Sequence, residues 1–138
     1  MAIKEVLSEL KDLYGNAPTQ EEPFGPALQA ADVQRWASEC GLSRSELYDA
    51  IAAHLAIGFE SSALDFGFCD AVVNNLVAIS TAFDDLRQPL FWDIYLAFDE
   101  GEYFHGNHRN EDPEEVYTRP MIAQAIKDYG LMQRVLPS

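Results

Sequence analysis

The residues best suited to chemistry lie close together late in the chain, in DEGEYFHGNH (99–108), where Glu102, His105 and His108 fall three apart. A glutamate three residues before a histidine on a helix aims a carboxylate and an imidazole at one metal ion. A centre of that kind needs a second such pair on a facing helix. The remaining histidine, His54, has Ile51 three positions before it, so the second half is missing. Gly101 and Gly106 also mark the segment as loop. No metal is therefore expected. Nor is any other cofactor, because the chain has no glycine-rich phosphate loop, glycine-flanked serine elbow or acidic metal motif. Cys40 and Cys69 show no ligand spacing and sit among apolar residues, where thiols act as small hydrophobes. The expectation is a protein that is not an enzyme.

A second stretch, ECGLSRSELYDAI (39–51), raises nucleic-acid binding. Ala37 is small where two helices would cross, and Gly41 suits a left-handed turn. Trp36, Cys40, Leu42, Leu47 and Ala50 fall at inward positions. Over Val33 to about Ile51 the chain resembles the helix-turn-helix class. That resemblance implies a major-groove face made of Ser43, Arg44, Ser45 and Tyr48, with Asp49 beside them. DNA affinity, however, comes largely from bases that neutralise phosphates. This helix offers Arg44 against Glu46 and Asp49, and only Arg35 lies nearby. A DNA-binding regulator is the alternative reading; nucleic acid is not the expected partner.

Charge points the other way. The formal net charge is −14 at pH 7. From Ser45 to Leu86 there is no Lys or Arg, while Glu46, Asp49, Glu60, Asp65, Asp70, Asp84 and Asp85 all fall there. From Asp93 to Glu115, Arg109 is the lone base. Such a surface repels phosphate and anionic lipid and speeds encounter with a basic protein. Between 99 and 115 aromatic residues interleave with acids, a combination that supplies both contact area and register. The expected contact patch is Asp99, Glu100, Glu102, Tyr103, Phe104, Glu111 and Asp112, with the acid-only run 45–86 as a second face. Small, acidic, helical and without catalytic motifs, the chain resembles in character the immunity proteins that neutralise bacterial toxins. The resemblance implies an inhibitor that occludes a basic partner.

The elements that must position these residues follow from periodicity. At 138 residues the chain is read as one domain, 1–138, able to bury its own core. Ile3, Val6, Leu7, Leu10, Leu13 and Tyr14 mark one face of a helix over 2–14. Prolines and glycines make 15–30 a connecting loop. Asp32 is expected to cap a helix ending near Cys40, and Ser43 with Glu46 forms a capping box for the next. Cys69, Val72, Leu76, Ile79 and Phe83 space a helix over about 68–83. Pro89 opens LFWDIYLAF, apolar nearly all round and so expected to be a central, well-buried helix with mostly core aromatics. Asp112-Pro113-Glu114-Glu115 starts a turn that Pro120 should end, and a last helix runs from Met121 to Tyr129. The fold class is all-α, a bundle of about six helices. With no apolar run of the roughly 18–20 residues that span a bilayer and an N-terminus interrupted by acids, a cytoplasmic location is expected.

Overall fold

The computed structural model describes residues 1–15, 28–102 and 111–135. Most of the connecting loop expected at 15–30, together with Tyr103, Phe104, His105 and His108, lies outside them. The helices are α1 (Ile3–Gly15), α2 (Ala30–Cys40), α3 (Arg44–Glu60), α4 (Phe66–Ala82), α5 (Pro89–Asp99), α6 (Arg119–Asp128) and α7 (Leu131–Val135). A π-helical turn, Glu114–Thr118, leads directly into α6. Among the described residues there is no strand, and the expected all-α bundle is the architecture found. No described helix is long and apolar enough to cross a membrane.

The local signals act largely as their chemistry dictates. Gly41 stands at φ +69° and ends α2, with the Leu42 N–H reaching the Ala37 carbonyl at 3.0 Å. Ser43 and Glu46 then cap α3 reciprocally: the Glu46 N–H donates to Ser43 Oγ at 3.1 Å and the Ser43 N–H to Glu46 Oε1 at 2.9 Å. Two caps differ from expectation. Helix α2 starts two residues before Asp32, whose carboxylate reaches back to the Gln29 N–H at 2.9 Å. Helix α4 starts at Phe66 because Asp65 Oδ1 accepts the Phe68 N–H at 2.8 Å.

One further expectation is refined and one corrected. Helix α5 is well buried among α3, α4, α6 and the π-helical turn, as expected, but the helix with most neighbours is α3, which packs against α1, α2, α4, α5, α6 and α7. Ala52, Ala53 and Ala56 are buried beside Leu47, Ile51, Leu55 and Phe59, so neighbouring backbones approach from every side. Helix α5 buries Leu90, Phe91, Ile94, Ala97 and Phe98 but leaves Trp92 and Tyr95 half-buried at its edge. Pro120, expected to end a turn, instead lies within the first turn of α6. A proline in an α-helix strands the carbonyl four residues back and clashes with it. The turn before it widens, so that the Arg119 N–H reaches Glu114, five residues back. Behind that turn Thr118 is buried and its hydroxyl donates to the Ala97 carbonyl at 2.7 Å.

Helix α5 takes its N-terminal acceptor from another helix. Asp49 Oδ1 on α3 accepts the Phe91 N–H at 3.0 Å, satisfying an amide that Pro89 and Gln88 leave open. Asp49→Ala should lower unfolding stability by about 0.5–2 kcal/mol, the range for a lost cap. Urea melts of the two proteins measure it, and the helix content by circular dichroism should stay the same.

Candidate functional site: an acidic edge on α4 and α5

The corner residues expected to face DNA are turned to structural use. Tyr48 is fully buried, its ring stacked on Phe91 with centres 5.4 Å apart. Its hydroxyl donates to Asp85 Oδ2 at 2.7 Å. Arg44 grips the same carboxylate with two nitrogens, Nε at 2.8 Å and Nη2 at 2.9 Å. The third guanidinium nitrogen donates to Gln34 Oε1 at 2.8 Å, and the group lies 4.0 Å from the centre of the Phe83 ring. Ser45 Oγ donates to the Leu86 carbonyl at 2.6 Å, and Ser43 is the helix cap. These side chains fasten α3 to the α4–α5 connection. None of the four is set out as a base-reading surface, since a groove-facing residue needs its polar atoms free and exposed.

The acids of 45–86 do not form one face either. Glu46, Asp49 and Asp65 serve helix N-termini, and Asp85 holds Arg44. Helix starts and an ion pair need acceptors at scattered places, and the acids of this run are distributed accordingly.

What remains is a cluster where α4 meets the end of α5. Asp99, Glu100 and Glu102 come from the α5 terminus, and Asp70 joins them from the first turns of α4. Asn74 Nδ2 spans the two elements, donating to the Asp70 carbonyl at 2.8 Å and to Glu102 Oε2 at 3.1 Å. Burial, then a carboxyl–carboxylate contact with Glu102, lifts Asp70 to about 8, far above the ordinary carboxylate range. Asp70 Oδ1 is buried with no hydrogen-bond partner, as fits a carboxyl held neutral. Asp99 is also raised, by burial and then by the charges of Glu102 and Glu100. The Tyr95 phenol, raised by burial and by Asp99, Glu102 and Asp70, lies within the same negative field. Its ring packs on Trp92, with centres 5.0 Å apart.

Of the expected contact patch, the structure thus unites Asp99, Glu100 and Glu102. Glu111 and Asp112 are exposed at the entry to the π-helical turn, where Asp112 Oδ1 accepts the Glu114 N–H at 3.0 Å. Tyr103 and Phe104 lie outside the described residues. Sequence reasoning placed Asp70 in the separate acidic run 45–86 and so missed its contact with this cluster, and it assigned Tyr95 to the core. Asp70 stands 32 residues from Glu102, and no local pattern announces that contact. The half-exposure of Trp92 and Tyr95 was hinted at by Asp93 between them, which breaks the apolar run.

Among the described residues no group of three or more His, Cys, Asp or Glu is arranged to hold a metal ion. His54 is half-buried, and burial pushes the Cys69 thiol well above its usual range, which disfavours the reactive thiolate.

Removing Asp85 by Asp85→Ala takes the counter-charge from Arg44 and the acceptor from buried Tyr48. A loss of about 2–3 kcal/mol is expected, the scale of hydrogen bonds to charged groups, read from urea midpoints at neutral pH. The Asp70 pair predicts a distinct pH dependence. A carboxyl whose folded pKa is raised keeps its proton while the unfolded chain loses it, so stability falls as pH rises from about 4 towards 8. Asp70→Asn should flatten that slope and leave the variant the more stable of the two at pH 8; identical slopes would show that Asp70 ionises freely. Compared with known proteins, the chain matches no protein-family model, no curated protein and no solved structure.

Proposed function

We propose that the chain is a non-enzymatic binding module whose acidic edge engages a basic protein. One observation carries this reading. Glu102 and Asp99 raise the proton affinity of Asp70, Glu102 and Glu100 raise that of Asp99, and among the described residues no Lys or Arg counters this at either carboxyl. Elsewhere the chain does pair its acids: Glu9 with Arg35, Asp85 with Arg44, Glu115 with Arg119. Carboxylates left to repel one another at a surface are stabilised by a cation brought from outside.

Tyr95 is half-buried beside the same edge and offers amphipathic contact area next to fixed charge, while the Trp92 ring it packs on already carries the Arg87 guanidinium 4.8 Å from its centre. A partner would arrive by long-range attraction and dock Lys or Arg side chains against Asp99, Glu100 and Glu102. Occlusion of the partner's own basic site would make the chain an inhibitor, of the immunity type that its acidity and size resemble. A location in the cytoplasm belongs to this same reading. The helix-turn-helix alternative has no such support, because Arg44 and Tyr48 are spent on Asp85.

The test is a pull-down from lysate of the source cells at low salt, followed by kinetics on the captured protein. A stoichiometric basic partner should appear, released by salt. Asp99→Asn, Glu100→Gln and Glu102→Gln together should slow its association about tenfold or more at low ionic strength, with a smaller change in dissociation. An unchanged association rate would remove this edge from the interface, and capture of DNA without protein would restore the corner helix as the binding element.

A further inference from the structure

A second surface differs from the rest in sign. Lys4, Ser8 and Lys11 recur at four- and three-residue steps along the outer side of α1 and edge a groove between α1 and α3. Its opposite wall is His54, Ile57 and Ser61, and its apolar floor includes Leu7 and Leu64. The groove holds about 480 Å³ and continues past Lys11 and Leu64 into a hollow of about 530 Å³ that reaches Tyr14 and Phe68. Gly58 is required for this shape, because a Cβ there would collide with the Leu64 side chain, which lies directly over it. A glycine inside a helix costs about 0.5–1 kcal/mol relative to alanine, and here it creates the seat for the groove wall.

The charge is as specific as the shape. The chain has nine Lys and Arg against 23 acids, and two of the nine edge this one groove. Among the described residues neither Lys4 nor Lys11 has a carboxylate partner; Arg35, Arg44 and Arg119 each have one, while Arg87 lies over the Trp92 ring and Lys127 is likewise without one. His54, on α3, is half-buried and held neutral more readily than a free imidazole, by burial and by the charge of Lys4. The other charged groups of the packed elements stand apart. Glu5 and Asp12 on α1 and Glu60 on α3 do not line the groove, and Asp65 lines only the continuing hollow.

We infer that this groove binds a small amphiphilic carboxylate, its head between Lys4, Lys11 and His54 and its hydrocarbon body on Leu7, Ile57 and Leu64. The volume lies within the roughly 300–1,000 Å³ of small-ligand sites. A single negative charge fits better than a phosphate dianion. The groove presents point charges without a guanidinium fork, and α3 arrives there by its C-terminus, whose carbonyls oppose further negative charge. Binding would draw a proton onto His54, so affinity rises as pH falls from 8 towards 6.

The experiment titrates the full chain with decanoate, below its micelle concentration, and follows backbone and His54 ring resonances. Saturable shifts confined to Lys4–Lys11, His54–Gly58 and Ser61–Leu64 are expected, with the His54 titration midpoint moving upward. Lys4→Gln with Lys11→Gln should weaken binding about tenfold or more, and Leu64→Trp, which fills the groove, should abolish it. Lys127→Gln on α6 should change nothing, which separates local from overall charge. Decyltrimethylammonium binding as tightly as decanoate would overturn the assignment, as would shifts spread over other surfaces or no saturation. Shifts at these residues that follow protein concentration without ligand would give the groove to a second copy of the chain and equally refute it. The lysine variants are surface substitutions, Leu64 is half-buried, and matching circular dichroism and urea midpoints establish that each variant is folded.

Discussion

The bundle depends on one carboxylate. Asp85 follows Asp84, which stands at φ +56°, where α4 has ended and the chain turns towards α5. It takes two nitrogens of Arg44 and the hydroxyl of Tyr48, both from the first turns of α3. Through Arg44 the same cluster reaches Gln34 on α2. Two helices and a connection therefore meet at one side chain, and the Tyr48 ring can be buried because its hydroxyl has an ionised acceptor. Arg44 holds the Asp85 carboxyl below the ordinary range, so the junction keeps its charge through the whole physiological interval and is lost only as acid protonates it.

The chain's acidity thus has two unequal parts. One is architectural: caps at Glu46, Asp49 and Asp65, and partners for Arg35, Arg44 and Arg119. These sites gain from negative charge because helix N-termini and guanidinium groups stand opposite them. The other part is gathered where α4 meets the end of α5, and there the charges work against one another. Asp70 answers by keeping its proton, and its buried, unpartnered oxygen shows how little solvent reaches it. A net charge of −14 overstates the active field; the proposed function rests on the carboxyl groups gathered at this one edge.

What could be read from the sequence was local. The Gly41 turn and the Ser43–Glu46 box involve residues three to five apart, and both stand where their spacing puts them. The corner was therefore legible, but its purpose was not. Whether Arg44 faces a phosphate or Asp85 is decided 41 residues away, by packing that no window of sequence contains. Similarly, the density of apolar residues in LFWDIYLAF marked α5 as well buried, but it gave no sign that α3, whose alanines admit neighbours on all sides, would pack against more helices. Pro120 misled for a related reason. Its helix-breaking chemistry operates, but the backbone absorbs it by widening one turn.

The cap that Asp49 gives to Phe91 has a consequence for how the molecule comes together. A helix with its own N-cap can flicker into existence as an isolated segment; α5 has Gln88 and Pro89 at its start and no side-chain cap of its own. Its first-turn amide is satisfied only once α3 has docked, so nucleation of one helix is tied to assembly with the other. Intermediates with α3 formed and α5 detached lack the bond between the Phe91 amide and the Asp49 carboxylate. The pair should appear and disappear as a unit, giving this small bundle all-or-none character at its centre.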